Sequence, residues 1–258
     1  MHYTIPITQR LKKLVRSLQQ KQFRDQNDLF MAEGYHLAYE LEKSDFVPEL
    51  LVCKDSPASH VIDVLDKFAD RGIPIYSAPK HQFDQMCNTK TPQGIIAVIN
   101  KAEQEVLKDE CFIALDGVSD PGNVGTIIRT ADWFGYKQVI LGRDCADLYN
   151  PKVVRATQGA IFRTKVLYAP ELSDFVKENY KKFKFFGASL DAENNLTKFR
   201  PKSKYGLFFG SEAQGFSPDV EELIQNMYKI EGLGKSESLN VAVSVGISLY
   251  HFAPKKAK

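Results

Sequence analysis

LDGVSDPGNVGTIIRTADWFG, residues 115–135, joins an apolar strand end at Leu115-Asp116 to a polar turn and then to a helix-forming run. Pro121 and Gly122 punctuate the turn, and Asn123 has the chemistry of an N-cap, so a helix is expected to start near it. A strand that breaks into a polar turn and enters a helix puts that turn at its carboxyl end, where α/β proteins bind ligands. Two readings of the polar residues stay open on this stretch alone. Asn123 only caps the helix and Arg129 only pairs with an acid such as Asp132, or both face a ligand.

Working outward, short apolar runs recur on both sides: CFIALD (111–116), QVIL (138–141), KVLY (165–168), FFGAS (185–189) and GLFFG (206–210). Helix-like segments lie between most of them, the rhythm of a mainly parallel sheet covered on both faces. In FFGSEAQGFS (208–217) an apolar strand breaks into a glycine-bracketed turn that holds Glu212. A lone glutamate there is more often a surface turn than a site.

IEGLGKSESLNVAVSVGISLYHF (230–252) carries a conflict. Leu239, Val241, Val243, Val245, Ile247 and Leu249 alternate with small or polar residues, which is a strand signal. Yet the run is about twice the usual strand length of ~5–6 residues. Ala242, Gly246 and Ser248 equally suit a helix packed closely on another element. Gly232-Leu-Gly-Lys-Ser236 looks like the end of a phosphate loop, but Lys229 stands where the first glycine of that motif belongs. A dinucleotide fingerprint from Gly232 fails in turn, at Glu237.

Upstream, ELLVC (49–53), IPIYSA (73–78) and GIIAVI (94–99) read as strands, with helices over 33–43 and 61–70. The polar stretch NKAEQEVLKDE (100–110) reads as a linker, which predicts two α/β domains, 1–105 and 106–258. Residues 7–30 open with the stripe Leu11, Leu14, Val15 and Leu18 of an amphipathic helix. Its other faces carry Arg10, Lys12, Lys13 and Arg16, followed by Lys21 and Arg24. Residues 1–30 hold six Lys/Arg against two acids, a bias that marks either a solvated face or a nucleic-acid contact.

The net charge of +2 neither requires nor excludes an anionic partner, so the placement of charge matters more than its total. No run approaches the ~18–20 apolar residues of a membrane span, and the N-terminus has no signal-peptide pattern. Cys53, Cys87, Cys111 and Cys145 lie far apart with no metal-ligand spacing, so reduced thiols, no metal and a cytoplasmic location are expected. No nucleophile elbow or Cys/His pairing stands out.

Together the three glycine-rich segments resemble the motifs of the SpoU/TrmH branch of the SPOUT RNA methyltransferases. Residues 115–135 are similar to the family's D-x-x-x-D-P-x-N-x-G-x-I-x-R-T-A-x-x-F-G block at nearly every defining position. Residues 208–217 resemble its L-x-x-G-x-E-x-x-G block, and 230–241 its I-P-M-x-G-x-x-x-S-L-N-V block. Glu231 and Gly232 stand where that last block has Pro-Met. FMAEGYHLAYEL (30–41) and NTKTPQGIIAVI (88–99) look more loosely like the family's N-terminal substrate domain.

The resemblance implies an α/β fold: a C-terminal trefoil-knot domain preceded by a small α/β RNA-binding domain similar to a ribosomal-protein fold. It makes 241–252 a helix at a homodimer interface, overriding the strand pattern. It implies S-adenosyl-L-methionine as cofactor, held largely by backbone groups at Gly210, Ile230 and Leu239, and methyl transfer to a ribose 2′-hydroxyl. Glycine at 210 would let backbone approach the ligand. Arg129 takes the central catalytic role, with Asn123, Glu212, Ser238 and Asn240 around it, and Arg10, Lys12, Lys13 and Arg16 face RNA. Ribosomal RNA is favoured over tRNA as the partner. The rivals are a non-catalytic RNA-binding or ribosome-assembly protein that kept the fold, and an α/β enzyme acting on a small metabolite.

Overall fold

Short apolar runs become the strands of two sheets in the computed structural model, which describes residues 4–103 and 105–253. The first unit comprises residues up to 103 together with Asp147–Phe162. Its early elements are β1 (Thr4–Pro6), α1 (Gln9–Ser17), α2 (Lys21–Asn27), β2 (Leu29–Glu33), α3 (Tyr35–Glu42), β3 (Pro48–Lys54), α4 (Ser59–Asp70), β4 (Ile75–Ala78), α5 (Lys80–Asp84) and β5 (Ile95–Asn100). The sheet runs β1-β4-β3-β5-β2, parallel from β1 to β3 and antiparallel at β5 and β2. Phe30, Leu51, Phe68 and Ile95 pack on one side, and Val15, Leu18, Val52 and Phe83 on the other.

The expected helix from residue 7 onward is two helices, and Arg24 does not extend its basic face. Arg24 is only 2% exposed. Its Nη1 donates to the carbonyls of Leu18 and Gln19 at 2.9 Å each, groups that the end of α1 leaves unpaired, and Nη2 pairs with Asp147 at 2.5 Å. Burial of a guanidinium needs such partners.

The second unit begins with β6 (Phe112–Leu115), α6 (Pro121–Trp133) and β7 (Gln138–Leu141). The chain then contributes α7 (Pro151–Ala156) to the first unit before returning as β8 (Lys165–Tyr168), α8 (Leu172–Asn179), β9 (Lys184–Ala188), β10 (Tyr205–Phe209), α9 (Pro218–Leu223), β11 (Asn226–Tyr228) and α10 (Val241–Phe252). All six strands are parallel, in the order β11-β9-β10-β6-β7-β8. The central strands β6, β7 and β10 are buried at every position, as a sheet covered on both faces requires. Gln138 is buried among them because its Oε1 accepts from the Leu107 amide at 2.7 Å and its amide bonds the Tyr180 hydroxyl.

A division into 1–105 and 106–258 therefore does not describe the packing. Val154, Ile161 and Phe162 sit in the first unit's core; Phe162 meets Phe46 at 5.4 Å and Tyr149 meets Phe30 at 4.7 Å. These side chains complete an apolar surface that residues 4–103 leave open, so a later segment joins the earlier unit.

Residues 241–252 form a helix, not a strand. Val241, Ala242, Val245, Ser248, Leu249 and Phe252 are buried, a spacing of three to four residues rather than two. The alternation misleads because the outward face is apolar as well: Val243, Ile247 and Tyr250 are exposed.

Candidate active site

Since β11, β9, β10 and β6 are adjacent and parallel, the segments leaving their carboxyl ends share one edge of the sheet. Those segments carry Ile230, Ser189, Gly210 and Asp116 respectively. This edge is where an open parallel sheet holds its ligand.

Three expected site residues meet there. Asn240 Nδ2 lies 2.9 Å from both Asn123 Oδ1 and Glu212 Oε1. Glu212 Oε1 also accepts from Asn123 Nδ2 at 3.4 Å and from the Val241 amide at 3.0 Å. Asn240 is the N-cap of α10, its Oδ1 accepting from the Ala242 and Val243 amides. One side chain thus ends the loop over residues 230–239, starts the last helix and binds the other two segments. Asn123 is free to do this because it is not the cap of α6. Asp120 takes that role, its Oδ1 accepting from the Asn123 amide at 2.8 Å, with Pro121 pre-set at the first helical position.

The turn holding Glu212 folds on itself. The Ser211 and Gly215 amides and carbonyls bond reciprocally at 2.9 Å. A Cβ on Gly210 would lie 2.5 Å from the Gly215 carbonyl carbon and oxygen, so the turn's own closure already requires glycine here. At the far end of the turn the buried Asp116 Oδ2 accepts from the Ser217 amide (2.7 Å) and hydroxyl (2.8 Å). Gly117, next to Asp116, has φ 71° and turns the chain sharply away from the strand. Asp116 and Ser217 are not among the residues that sequence places in the site. Asp116 lies inside the quoted block but reads from sequence as a strand end.

Arg129 and Ser238 stand apart from this cluster. Both are exposed and, among the described residues, their side chains form no hydrogen bond or ion pair. Asp132 is not the partner of Arg129, since it binds Arg163 Nη2 at 2.8 Å and Nε at 3.1 Å. Ile230 is half-buried and Leu239 exposed. Within 230–239 no backbone group bonds to another part of the chain among the described residues. A stretch with unused N–H and C=O groups at the carboxyl edge of the sheet fits a cofactor recognised through backbone contacts. Glu231, where the family block has proline, accepts from Asn195 Nδ2 at 2.8 Å and so ties that loop to the one after β9.

A family model for the SpoU rRNA methylase family matches residues 110–250, the whole of this edge and its sheet. The chain belongs to the SpoU rRNA methylase family. A second model, the MRM3-like substrate binding domain, matches residues 9–97. The 23S rRNA (guanosine(2553)-2′-O)-methyltransferase RlmP of Bacillus subtilis is 32% identical over 238 residues, covering 92% of this chain and 93% of the relative. A solved TrmH-family RNA methyltransferase from Porphyromonas gingivalis is 30% identical, with a TM-score of 0.81 and coverage of 96% and 98%. The AdoMet-bound rRNA methyltransferase from Sinorhizobium meliloti is 26% identical, with a TM-score of 0.84 and coverage of 96% of each chain.

In this SpoU-family chain two buried tyrosines, Tyr205 and Tyr228, fasten α10, which Asn240 caps, to the sheet, and a third, Tyr136, braces Tyr205. Tyr205 donates to the Phe252 carbonyl at 2.8 Å and shares a 2.9 Å bond with Tyr136, while Tyr228 donates to Ser248 Oγ at 2.8 Å. Burial pushes the Tyr205 phenol up to about 12 and raises those of Tyr136 and Tyr228 further. Cys145, near Asp116, is no nucleophile at neutral pH: burial lifts its thiol to about 11. Among the described residues no group of His, Cys, Asp and Glu is placed to hold a metal, and no helix is long and apolar enough to cross a membrane. On α1, Arg10, Lys13 and Arg16 are exposed and Lys12 is half-buried against Gln82.

Proposed function

We propose that this protein transfers a methyl group from S-adenosyl-L-methionine to a ribose 2′-hydroxyl of ribosomal RNA. The observation that carries the reading is the junction of Asn123, Glu212 and Asn240 at the carboxyl ends of β6 and β10 and the start of α10. Each comes from a different family block, and a family member 32% identical over nearly its whole length is named as a 23S rRNA 2′-O-methyltransferase.

Backbone groups of 230–239 and of the turn after Gly210 would hold the cofactor, which supplies a methyl group on a positively charged sulfur. The remaining demands fall on side chains. A ribose hydroxyl is a weak nucleophile, so its proton must leave or the developing oxyanion must be stabilised. Arg129 serves here as a fixed positive charge with a planar fork of donors, not as a base. Its role is to grip the target phosphate and steady the forming alkoxide. The exposed, unpaired state of Arg129 suits a group waiting for RNA. Glu212 and Asn240 keep the loop and α10 in register.

The outward face of α10 supports a homodimer. Val243, Ile247 and Tyr250 form an apolar stripe, Tyr250 lies 6.3 Å from the Phe134 ring, and Trp133 at the end of α6 is 83% exposed. A helix apolar all round is ordinarily buried, and a second copy would bury this one. In that assembly Arg129 and Asn240 of different subunits share a site, the last segment is threaded as a trefoil knot, and the protein works in the cytoplasm. A non-catalytic RNA binder would have no reason to retain Asn123, Arg129, Glu212, Ser238 and Asn240 together.

The test combines calorimetry with transfer of a labelled methyl group to large-subunit rRNA, the product being digested to nucleosides. Binding of S-adenosyl-L-methionine and label on a 2′-O-methyl nucleoside support the reading. AdoMet at a hundredfold excess over Kd would also add about 2.7 kcal/mol of stability. No binding at millimolar cofactor, or label confined to a base, overturns it.

A further inference from the structure

The first unit pairs α1 with α5 so that their cations form one surface, and we infer that this surface binds the phosphate backbone of the RNA substrate. The inference rests on the RNA methyltransferase reading above and extends it to two residues, Lys80 and His81, outside the helix whose charge pattern stands out in the sequence.

The placement follows from strand register. β1 and β4 are parallel with Pro6 opposite Ser77, and the Ile7 amide continues the ladder to the Ser77 carbonyl at 2.9 Å. Both chains then leave the sheet in step: Gln9 opens α1 three positions after Pro6, and Lys80 opens α5 three positions after Ser77. Lys12 Nζ donates to Gln82 Oε1 at 3.0 Å, and Gln19 Nε2 to the Met86 carbonyl at 3.1 Å, which ties the two helices side by side. Arg10, Lys13, Arg16, Lys80 and His81 are exposed, and among the described residues none of their side chains forms a hydrogen bond or ion pair.

Among the described residues neither helix adds an unpaired acid to this surface. Gln9–Ser17 contains none, and the only carboxylate of α5, Asp84, lies 3.6 Å from Lys54. Asp55, whose amide donates to the Ala78 carbonyl, marks the margin. Surface cations in a mixed-sign protein normally sit among acids, as Lys21 does with Asp25 at 2.6 Å. A run of unpaired cations from two helices instead forms a field of one sign, which attracts and retains a polyanion. A lipid surface fits less well, because the apolar stripe of α1 is spent inside the protein: Val15 and Leu18 are fully buried. The whole surface falls within residues 9–97, the segment matched by the substrate-binding model.

The experiment measures the affinity of the full-length protein for an unmodified large-subunit rRNA transcript across a series of KCl concentrations. Wild type is compared with Lys80→Ala/His81→Ala and with Lys67→Ala, which removes a cation from α4. Removing one cation that neutralises a phosphate should make the slope of log affinity against log salt shallower by about 0.7–0.9. The α5 double variant is expected to lose about one such unit and several-fold in affinity, with AdoMet affinity and melting temperature unchanged. The α4 variant should match wild type. An unchanged slope in the α5 variant, an equal loss in the α4 variant, or binding to anionic phosphatidylglycerol vesicles but not to RNA would overturn the inference. Cofactor binding by the wild type, measured on the same preparations, separates these outcomes from failure of the methyltransferase reading.

Discussion

Glu212 Oε1 sits 2.9 Å from Asn240 Nδ2 and 3.0 Å from the Val241 amide, so a carboxylate on one loop holds the first turn of the last helix. The pairing joins residues 28 positions apart and brings negative charge to a helix N-terminus, where the helix dipole favours it.

Glu212→Ala leaves Asn123, Asn240 and the Val241 amide short of an acceptor. The expected cost is about 1–3 kcal/mol, read as a lower melting temperature together with weaker cofactor binding. Glu212→Gln keeps an acceptor oxygen and should recover much of the melting temperature. Equal stability of wild type and the alanine variant would show that the carboxylate holds nothing.

Asp116 acts through Ser217 to set the turn that carries Gly210 and Glu212. Asp116→Ala and Ser217→Ala should each weaken AdoMet binding, and the double variant should cost clearly less than the two single losses combined. Simple addition of the two in calorimetry would mean that they act independently.

The buried tyrosines predict an alkaline limit to stability. Tyr205 titrates at about 12 in the folded protein and, like any exposed phenol, near 10 when unfolded. The folded state therefore holds its proton more tightly. The associated stability is complete below pH ~10 and is lost as pH rises from there through the folded value. Tyr205→Phe should melt lower at neutral pH, having lost its bond to the Phe252 carbonyl, but decline less steeply above pH ~10. Parallel decline of the two proteins in thermal melts would exclude the phenol as the cause.

The apolar stripe of α10 predicts self-association. Val243→Asp/Ile247→Asp should convert a dimer to a monomer in sedimentation velocity and abolish methyl transfer, while leaving the fold intact by circular dichroism. A wild-type monomer at micromolar concentration would remove the dimer from the account.

Much of the parallel sheet was legible because its strands are unbroken apolar runs, and β7 and β8 fall at their sequence-predicted bounds. The helix 241–252 was legible only through family resemblance. Its exposed stripe Val243, Ile247 and Tyr250 fills in the alternation that residue patterning reads as a strand. Arg24 was hidden for the opposite reason: its partner Asp147 lies 123 positions away, and no local pattern signals a buried ion pair. The same distance in sequence hid the membership of 147–162 in the first unit. Within the site, Asn123, Glu212 and Asn240 were each visible as motif positions. What sequence could not supply was the division of labour, with Asp120 capping α6 so that Asn123 can bond Asn240.

The most direct measurement of the central claim is mass spectrometry of ribose-methylated nucleosides in rRNA and tRNA from cells with and without this protein. One 2′-O-methyl nucleoside in large-subunit rRNA should disappear without the protein and return with the wild-type gene. It should not return with Arg129→Ala, which is expected to fold and bind AdoMet while lowering single-turnover methylation by about 10²-fold or more. Identical rRNA ribose methylation in both cell lines, or a loss confined to tRNA, would contradict the account.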